Sequence, residues 1–530
     1  MAPPFAAPAL PGYRSHQSCR RHRSRSSRRR HRPVVQRTAP PFDEARVVQA
    51  DVLRRPGDSR AAQEFGHIAA AVGQPDDLPT HGHPSATGGG RRVHDDRRML
   101  GHASSLRRAP RSRTSTAATS AILAPATTRY AGRMAPNPLE SAGFSRDPYP
   151  LLAALRSQGP VQRMPTGNGR TTWVVTGWAE ARTALADARL SKDTARYFAD
   201  RPSNRRLAPA VSRSMLATDP PHHGRLRKLA MTAFTPAAVA RLAPRIRALA
   251  EELADALAAR GSGDLIEEFA VPLPIAVISE LLGVPEAERA AVRTWSNDLF
   301  AAAAPETVDR ASHALSDYMT RLIASRRAAP GDDVLSGLIA ARDEADQLSE
   351  AELVSLAVLL VVAGHETTTH LIGNGMLALL KDDALRARLR AEPALLPAAV
   401  EEFLRHDAPL TLATFRYATE PVELGGARIA AGEVVLVSPG AANRDPARFA
   451  APDEVRLDRP DQAGRHLSFG HGPHHCLGAP LARLEARIAF EVLLTRFADV
   501  RPASAGWGEL EWRRTRLMRG LVRLPVHIDR

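Results

Sequence analysis

The positive charge of this chain is confined to its first quarter, which limits the residues that can form a folded core. Residues 1–133 contain 24 arginines, no lysine and 9 acidic residues, so they carry the whole formal net charge of +15 of the 530-residue chain. They lack a helical or strand period and hold Arg/Ser clusters and Pro-rich pieces, a composition that cannot bury enough apolar surface to offset chain entropy. We expect a disordered extension over 1–133 and one large domain over 134–530.

The extension has the Arg-rich, acid-poor composition of a transit peptide or of a nucleic-acid-binding arm. A secretory signal is not indicated, because a Pro/Ala start precedes the basic stretch. Organised sequence begins abruptly at Met134, and the simplest interpretation is that Met134 is the natural start. Residues 134–530 hold 48 basic and 48 acidic residues, so we expect no nucleic-acid partner for the folded part.

The pattern after Met134 is mostly helical. Ala, Leu, Glu and Arg dominate segments that predict helices, namely 237–260, 267–283, 306–328, 350–380 and 394–406. Alternating or β-branched segments predict strands at 171–176, 414–424, 434–438 and 520–528. The fold class is therefore α+β and predominantly helical. The most apolar run, residues 353–363, has 11 residues and is shorter than the roughly 20 that cross a bilayer, so we expect no membrane span and a cytoplasmic protein.

A single cysteine in the second half of the chain lies in a glycine-rich loop. With only Cys19 and Cys476, the chain cannot form a disulfide framework. Three glycines lie near Cys476 between Phe469 and Pro480, and glycine permits torsions and close approaches that suit a sulfur held against a large flat ligand. Pro480 suits the first turn of a helix. The sulfur therefore precedes a helix N-terminus, where amide groups and the macrodipole favour the thiolate, a strong metal ligand.

Two other interpretations of this loop are open from the residues alone. In one of them Cys476 is a buried small hydrophobe, which is the usual fate of a single cysteine. In the other the thiol binds zinc with neighbouring histidines, since His471, His474 and His475 lie within five residues of it. Adjacent His475 and Cys476 cannot easily face one ion, and the loop lacks a second ligand pair at finger spacing. A zinc site, and with it a zinc hydrolase, is therefore the weaker alternative.

A long apolar helix is interrupted by polar residues in its middle. Ser349 and Glu352 form a capping box at its start, and the sequence Ala-Gly-His-Glu-Thr-Thr occupies 363–368. Because each unpaired buried polar group costs about 1–3 kcal/mol, a functional reason is expected. A metalloprotease zinc pair requires histidines four apart on one helix face, whereas His365 and His370 are five apart and about 140° apart around the helix.

The cysteine loop resembles the haem-binding signature of the cytochrome P-450 superfamily, the haem-thiolate monooxygenases. The matching pattern is Phe469-x-x-Gly472-x-x-x-Cys476-x-Gly478, and two further motifs of the family precede it in the expected order. The resemblance covers residues 134–530 and matches the size of the family's soluble bacterial members. It implies one P-450-type domain that binds haem b (iron protoporphyrin IX), with the iron held axially by the Cys476 thiolate and with Phe469, Gly472 and Gly478 beside the cofactor.

The polar interruption at 363–368 resembles the family's oxygen-activation motif. The resemblance implies that Gly364 lets the helix deform over the haem, that Thr367 hydrogen-bonds dioxygen, and that Glu366 helps to relay protons to the distal oxygen. Splitting the O–O bond needs protons at one oxygen and electron density from the axial thiolate. The alternatives are a Thr367 hydroxyl bonded to the preceding turn of its own helix and a His365 that only lines the pocket.

Glu402 and Arg405 have the spacing of the family's Glu-x-x-Arg element. The resemblance implies a buried pair with a structural role, which braces the loop that carries the thiolate. The alternative is a surface ion pair worth less than about 1 kcal/mol. A third partner is expected between 443 and 459, where Arg456 and Arg459 are both possible.

Four positions match the cationic residues with which the family binds the two haem propionates. They are His223, Arg227, Arg416 and His474. Propionates need Arg or His donors already in place. A lone arginine is usually only solvated, so this interpretation depends on the agreement of all four.

The resemblance implies a monooxygenase that hydroxylates or epoxidises an apolar or amphipathic small molecule with O₂ and two electrons, in secondary metabolism. No G-x-G-x-x-G follows a predicted strand, so the resemblance implies a separate ferredoxin and ferredoxin reductase. Arg465, Arg483 and Arg487 are candidates for contact with an acidic ferredoxin, and scattered solvated charges are the alternative. We expect a monomer. A peroxide-driven peroxygenase is the alternative within the family, although such members normally lack the acid–alcohol pair.

The resemblance places the substrate pocket among four stretches of the chain. These are 195–216, 295–304, 362–365 and 410–414. The shape of such a pocket does not follow from one sequence, so fatty acids, steroids, terpenes and xenobiotics are all open as substrates.

Overall fold

The structure, a computed structural model, describes residues 137–529 without 167–170, 202, 204, 301–303, 346–347, 460–464 and 504–509. The extension expected over 1–133 and the start expected at Met134 lie outside the described residues. Within them the chain is mainly helical with three small sheets, which confirms the predicted α+β class.

The helices range from single turns to 24 residues. In chain order they are α1 (Ala142–Arg146), α2 (Tyr149–Gln158), α3 (Trp178–Ala186), α4 (Thr194–Phe198), α5 (Pro209–Ser212), α6 (His222–Met231), α7 (Pro236–Arg241), α8 (Ala243–Arg260), α9 (Pro272–Leu281), α10 (Arg289–Phe300), α11 (Pro305–Ala328), α12 (Val334–Ala345), α13 (Glu350–Gly364), α14 (Glu366–Lys381), α15 (Asp383–Ala391), α16 (Leu396–His406), α17 (Pro439–Ala442) and α18 (Ala479–Arg496). Short 3₁₀ turns are Pro138–Glu140, Met215–Ala217, Thr232–Phe234, Glu286–Glu288, Pro393–Leu395 and Gly472–His474, and Ile266–Ala270 is a π-helical turn.

The strands form three sheets. They are β1 (Val161–Pro165), β2 (Thr171–Val175), β3 (Leu190–Ser191), β4 (Ser262–Asp264), β5 (Arg416–Ala418), β6 (Val422–Leu424), β7 (Ala427–Ile429), β8 (Val434–Val437), β9 (Asp499–Pro502) and β10 (Pro525–Asp529). The largest sheet has the order β1-β2-β8-β5-β3; β2 and β8 are parallel, with Trp173 opposite Val435, and the other neighbours are antiparallel. Strands β4-β10-β9 form an antiparallel sheet, and β6 and β7 form a hairpin.

The predicted helices are confirmed, with two interruptions. The helix expected at 350–380 is divided at His365 into α13 and α14. The helix expected at 237–260 is divided at Leu242, because Pro244 starts the first turn of α8 and a proline has no N–H to continue the preceding helix. The other predicted helices correspond to the Ile266–Ala270 turn with α9, to α11 and to α16.

The predicted strands are confirmed in place, and two of them are shorter than expected. The strand expected at 414–424 is split into β5, which ends at Ala418, and β6, which begins at Val422. The break includes Pro421, and proline has no N–H to donate to a strand ladder. The strand expected at 520–528 begins only at Pro525, because Leu521 forms an isolated bridge outside the sheet.

Helices α13 and α14 run through the interior of the fold. The Ser349 hydroxyl accepts the Glu352 N–H, and the Glu352 carboxylate accepts the Ser349 N–H at 2.8 Å, which is the predicted capping box. By length and composition, Glu350–Lys381 is apolar enough to cross a membrane, but 61% of its most apolar window is buried inside the fold. It packs against α5, α9, α11, α16 and α18, as a core helix does.

Helix α18 connects the cysteine loop to the interior. It begins three residues after Cys476 and packs against α8, α14 and α16. An apolar stripe of α18 packs into the core: Leu481, Ile488 and Val492 are buried, and Leu484 is partly buried. Helix α18 therefore connects the Cys476 loop to α14, the half of the interrupted helix that begins with Glu366 and Thr367.

Candidate active site

The loop before α18 has backbone torsions that its glycines allow. Gly470 and Gly472 have φ of +73° and +74°, in the left-handed region that side chains disfavour. A Cβ on Gly472 would lie 2.9 Å from Ala186 Cα, so the loop also approaches α3 closely. The Cys476 N–H donates to the Phe469 carbonyl oxygen at 2.8 Å and closes the loop.

The Cys476 thiol is accessible, and it is the free cysteine of the described residues. Although Cys476 is exposed at one side, the protein atoms packed around its sulfur desolvate the thiolate and raise the pKa of the thiol, while hydrogen bonds from the N–H groups of Gly478 and Ala479 and the charge of Arg227 lower it. The helix N-terminus thus favours the thiolate as expected, but burial outweighs it in the free thiol. A bound metal ion reverses this balance, because a coordinating thiol is deprotonated outright.

The side of the loop next to the thiol suits a flat ligand. A Cβ built on Gly478 meets no atom of the described residues within 4 Å, so this glycine leaves one face open beside the accessible Cys476. Phe469 is half-buried in the same loop, with the Arg483 guanidinium 4.4 Å from its ring centroid. A loop with an accessible sulfur and a bare backbone beside it fits a large planar cofactor such as haem.

The four expected propionate ligands converge in one largely buried cationic cluster. The ring centroids of His223 and His474 lie 4.0 Å apart. Burial lowers the pKa of His474 to about 2, and the charges of Lys192, Arg416 and Arg227 act in the same direction. Burial also lowers the pKa of Arg416 to about 10. The structure therefore brings together residues that lie in three separate parts of the chain, since His223 and Arg227 share one helix.

Lys192 belongs to this cluster, and the sequence analysis missed it. Its side chain is 3% exposed, its ammonium group donates to the Thr414 hydroxyl, and burial lowers its pKa well below the usual range, with Arg416 acting in the same direction. Asp219 opposes these charges through hydrogen bonds from the Ser191 hydroxyl and from the Lys192 N–H, the latter at 3.0 Å. No local pattern around Lys192 distinguishes it from a solvated lysine, so only its burial identifies it.

The composition of this cluster fits a ligand with two carboxylates. Buried cations are strongly disfavoured unless anions pair with them. Among the described residues, the carboxylate that acts on His223, Lys192 and Arg416 is that of Asp219. The two propionates of haem are anions that Arg and His donors bind well.

The interrupted helix breaks at His365, between Gly364 and Glu366. A Cβ on Gly364 would lie 2.9 Å from Ile278 Cγ1, so close packing against α9 is a further reason for the glycine. Ala363, one residue earlier, is exposed in an otherwise buried helix. The break therefore presents one side of the helix to open space.

Glu366 is a buried acid directly after this break, with 2% of its surface exposed. Its Oε1 accepts a hydrogen bond from Arg513 Nη1 at 3.1 Å. Burial raises its pKa to about 7, whereas the charges of Arg513 and Arg293 lower it. A carboxyl group of this kind holds a proton near neutral pH and releases it there, as a general acid must. The sequence analysis missed Arg513, which lies 147 residues further along the chain.

Thr367 and His365 flank the acid. The Thr367 hydroxyl donates to the Ala363 carbonyl oxygen at 3.2 Å, which is the bond of the alternative interpretation, but a hydroxyl that donates this bond still has two acceptor lone pairs. His365 Nδ1 lies 3.0 Å from the Val361 carbonyl oxygen, which can only accept, so the ring carries its proton on Nδ1. Burial lowers the pKa of His365 to about 4, so the ring is neutral.

Glu402 and Arg405 form a buried ion pair, with side chains 1% and 3% exposed. Both of its hydrogen bonds are 2.8 Å long, so the predicted buried pair is confirmed and the surface alternative is wrong. Of the two candidates for a third partner, Arg459 supplies its side chain, with Nε 2.8 Å from Glu402 Oε1. Arg456 supplies only its backbone N–H, at 2.8 Å from the same oxygen, while its guanidinium pairs with Asp458.

The three arginines considered for ferredoxin contact differ in their surroundings. Arg483 forms a bidentate pair with Glu401 at 2.6 and 3.0 Å. The side chain of Arg487 is 40% exposed and lies 3.8 Å from Glu491. Arg465 is partly buried. Because Arg483 is engaged within the protein, Arg487 is the better candidate for contact with a partner.

The alternative zinc site finds no support in the geometry. In the part of the chain that the structure describes, no group of three or more His, Cys, Asp or Glu side chains is arranged to hold a metal ion. His474 instead packs against His223 in the cationic cluster.

Comparisons with known proteins agree with this arrangement. The family model for Cytochrome P450 matches residues 293–506. The chain is 47% identical over 390 residues to the cytochrome P450 monooxygenase PikC of Streptomyces venezuelae, covering 72% of this chain and 91% of that protein. It is 37% identical over 397 residues to the polyketide biosynthesis cytochrome P450 PksS of Bacillus subtilis, covering 73% and 97%. The solved structure of the P450 monooxygenase TamI bound to tirandamycin C matches with a TM-score of 0.68 and 44% identity, covering 73% of this chain and 99% of that one.

These matches extend over almost the whole of each relative. At such identities a common fold is accompanied by a common cofactor, and the accessible thiol and the cationic cluster fit that cofactor. The chain belongs to the cytochrome P450 family and is a monooxygenase, an oxidoreductase of secondary metabolism whose haem iron is bound by the Cys476 thiolate.

Proposed function

We propose that this enzyme hydroxylates or epoxidises an apolar or amphipathic polyketide-derived molecule, using O₂ and two electrons from a separate ferredoxin and ferredoxin reductase. The names of the relatives support the substrate class, since PksS acts in polyketide biosynthesis and TamI binds tirandamycin C. The stretches 195–216, 295–304, 362–365 and 410–414 form the substrate pocket in this proposal. The enzyme works as a cytoplasmic monomer, and size-exclusion chromatography with light scattering checks the monomer.

The chain's own residues hold the haem at two places. When bound, haem supplies oxygen activation, and its thiolate ligand supplies electron density for splitting the O–O bond. The Cys476 sulfur binds the iron, and the Gly472–His474 turn and Gly478 let the loop approach the ring. The cationic cluster binds the propionates through His223, Arg227, Arg416 and His474.

Glu366 and Thr367 supply the proton in this proposal. Glu366 holds its proton on Oε2, because Oε1 accepts the hydrogen bond from Arg513. With a pKa of about 7, it is partly protonated at neutral pH and readily gives the proton up. Thr367 follows Glu366 directly, and its hydroxyl oxygen accepts hydrogen bonds through its lone pairs. This acid–hydroxyl pair at the helix break is the observation that supports an O₂-driven reaction over a peroxide-driven one.

The reaction type is tested on the purified full-length protein. We expect the carbon monoxide difference spectrum of the reduced protein to show haem-thiolate ligation. Product formation with O₂, ferredoxin and ferredoxin reductase should then exceed product formation with hydrogen peroxide alone. A protein that turns over only with peroxide is a peroxygenase, and this result contradicts the proposal.

The substrate class is tested by ligand-induced shifts of the haem spectrum. A panel of polyketides, fatty acids, steroids and terpenes is titrated into the ferric enzyme. We expect polyketides to give the largest shift at the lowest concentration. Tighter binding by any of the other classes overturns the substrate assignment while leaving the reaction type intact.

The redox partner is tested by charge reversal on the exposed arginine. Arg487→Glu should slow reduction by ferredoxin and weaken its dependence on salt concentration, because attraction between exposed charges is screened by ions. Arg501→Glu is the matched control, since Arg501 is 58% exposed and lies in β9. Equal reduction rates for Arg487→Glu and the wild type contradict contact at Arg487.

A further inference from the structure

Helix α14 carries a stripe of buried polar side chains that extends beyond the proposed acid. Glu366, His370 and Asn374 are spaced by four residues and lie on one face of the helix, with 2%, 1% and 4% of their surface exposed. Over these eight residues the stripe is about 12 Å long. Buried polar side chains are normally hydrogen-bonded, so a stripe of them in a core helix requires an explanation.

One segment of the chain, residues 513–520, covers the stripe from end to end. At one end, Arg513 Nη1 donates to Glu366 Oε1 at 3.1 Å. At the other end, the Asn374 amide donates to the Arg519 carbonyl oxygen at 3.1 Å. The stripe thus lies between α14 and this segment.

His370 lies in the middle of the stripe and packs directly on backbone. A Cβ built on Gly520 would lie 1.9 Å from His370 Nδ1, so only glycine leaves room for the ring. Neither ring nitrogen is hydrogen-bonded by another described residue. Burial lowers the pKa of His370 to about 3, and the charges of Arg513 and His365 act in the same direction, so the ring is neutral. A neutral imidazole has one donor and one acceptor nitrogen, so it can accept a proton on one nitrogen and release one from the other.

Further unpaired polar atoms lie on both sides of His370. They are His365 Nε2, Glu366 Oε2, Thr369 Oγ1 and Asn374 Oδ1, and none of them is hydrogen-bonded within the described part of the chain. Each such atom costs about 1–3 kcal/mol when it stays unpaired. Several neighbouring ones are therefore stable only when ordered water satisfies them.

We propose that His370 relays protons to Glu366 through buried water along this stripe. A water on one side of the ring passes a proton to Glu366 Oε2 and receives the N–H proton of His370. The other ring nitrogen takes up a proton from the water on its far side, and bulk water returns a proton to that water, so the ring ends neutral in its other tautomer. One proton moves toward Glu366, and no electron is transferred. His370 acts through Glu366 and is a positioning residue, and the inference rests on the proposed function because that function assigns Glu366 as the proton donor.

The test measures how fast the Glu366 carboxyl group exchanges its proton for deuterium in the full-length holoenzyme. The rate is followed by the infrared C=O band of the protonated carboxyl, which is identified by its absence in Glu366→Gln. In His370→Ala we expect the exchange to slow about tenfold or more, as for loss of a proton-transfer group, and free imidazole to restore it. The solvent isotope effect on O₂-dependent turnover should rise in the same variant.

A matched control separates the relay from packing. His406→Ala removes another neutral histidine, which lies at the end of α16 and whose Nε2 contacts the Asp453 carbonyl oxygen at 3.1 Å. In this variant the Glu366 carboxyl group should exchange its proton at the wild-type rate. His370→Gln keeps a polar side chain that cannot take up a proton, and it serves the same test if His370→Ala does not fold.

The outcomes are distinct. A wild-type exchange rate in a folded His370 variant, judged by its melting temperature, overturns the relay and leaves packing against Gly520 as the role of the ring. Slow exchange that imidazole reverses supports the relay. Failure of the proposed function has another signature, namely a wild-type enzyme that makes no product with O₂ although its infrared exchange still depends on His370.

Discussion

The thiolate side and the acid side of this active site control their ionisable groups in different ways. Around Cys476, the hydrogen bonds to the sulfur come from Gly478 and Ala479, within three residues in the sequence. Around Glu366, the opposing charge comes from Arg513, 147 residues away. The loop around Cys476 is therefore largely a local structure, whereas the protonation of Glu366 depends on the tertiary fold.

The largest effect is expected from breaking the thiolate side. In Cys476→Ser, a hydroxyl replaces the thiol and does not become an anionic ligand as a thiol does. We expect complete loss of the haem-thiolate signature in the carbon monoxide difference spectrum and loss of turnover with both O₂ and peroxide. His475→Asn, at the adjacent exposed position, should keep the signature. A thiolate-type spectrum in Cys476→Ser contradicts the assignment.

The second effect tests whether the thiolate side also depends on distant contacts. Arg405→Ala removes both hydrogen bonds that Arg405 donates to the buried Glu402 and leaves only Arg459 and the Arg456 N–H as its partners, so we expect the free energy of unfolding to fall by about 3 kcal/mol. Chemical denaturation followed by circular dichroism measures it. Arg428→Ala is the control, because Arg428 and Glu423 form a pair that is 81% and 77% exposed. Similar losses in the two variants would refute a special role for the buried pair.

The third effect separates the two sides chemically. Glu366→Gln keeps the shape of the side chain but removes the acidic proton, so O₂-dependent product formation should fall about a hundredfold. Turnover with peroxide should fall much less, in contrast to Cys476→Ser, which should lose both. Product yields with each oxidant provide the measurement. Equal losses with O₂ and peroxide would mean that Glu366 supports the fold or the cofactor and does not supply the proton.

The fourth effect tests which glycines of the cysteine loop serve the fold and which serve the cofactor. Gly472→Ala forces a side chain into a left-handed torsion and against Ala186, so we expect a loss of about 1–3 kcal/mol in the free energy of unfolding. Gly478→Ala meets open space and should leave the unfolding of the haem-free protein unchanged while speeding haem loss. Thermal melts and haem transfer to apomyoglobin distinguish the two. The reverse pattern would contradict the proposed face for the cofactor.

The smallest effect concerns the distant cation on the acid side. Arg513 favours the ionised form of Glu366, so Arg513→Leu should raise the pKa of Glu366 above its present value of about 7. Activity requires the protonated acid and falls as pH rises through this pKa, so the alkaline limb of the pH profile should move to higher pH. Arg523→Leu, a nearby arginine in the same C-terminal stretch, serves as the control. An alkaline limb that stays in place would show that another group sets it.

The raised pKa of Glu366 also makes the stability of the folded protein depend on pH. Burial keeps the pKa of Glu366 above the ordinary value of 4.5, so the folded state binds more protons than the unfolded state between these values. The contribution of Glu366 to stability is therefore full below pH 4.5 and is lost as pH rises through about 7. Glu366→Gln should flatten this part of the stability profile.

Much of the fold and of the site was predictable because it depends on neighbours in the sequence. The capping box at Ser349, the apolar period of α18 and the glycines around Cys476 are interactions within a few residues. The polar residues at 363–368 also indicated where the core helix is interrupted, and the break between α13 and α14 lies there. The chain itself thus determined the fold class, the glycine-rich thiol loop and the break in the long helix.

The tertiary structure decided which charges meet and how deeply they are buried. It placed Lys192 in the cationic cluster, selected the side chain of Arg459 over that of Arg456, and set Arg513 against Glu366. It also showed that Gly364 serves packing against α9. The physical reason is that Coulomb energies and desolvation depend on distances in space between residues far apart in the chain, whereas torsions, caps and periodicity depend on residues that are close in the sequence.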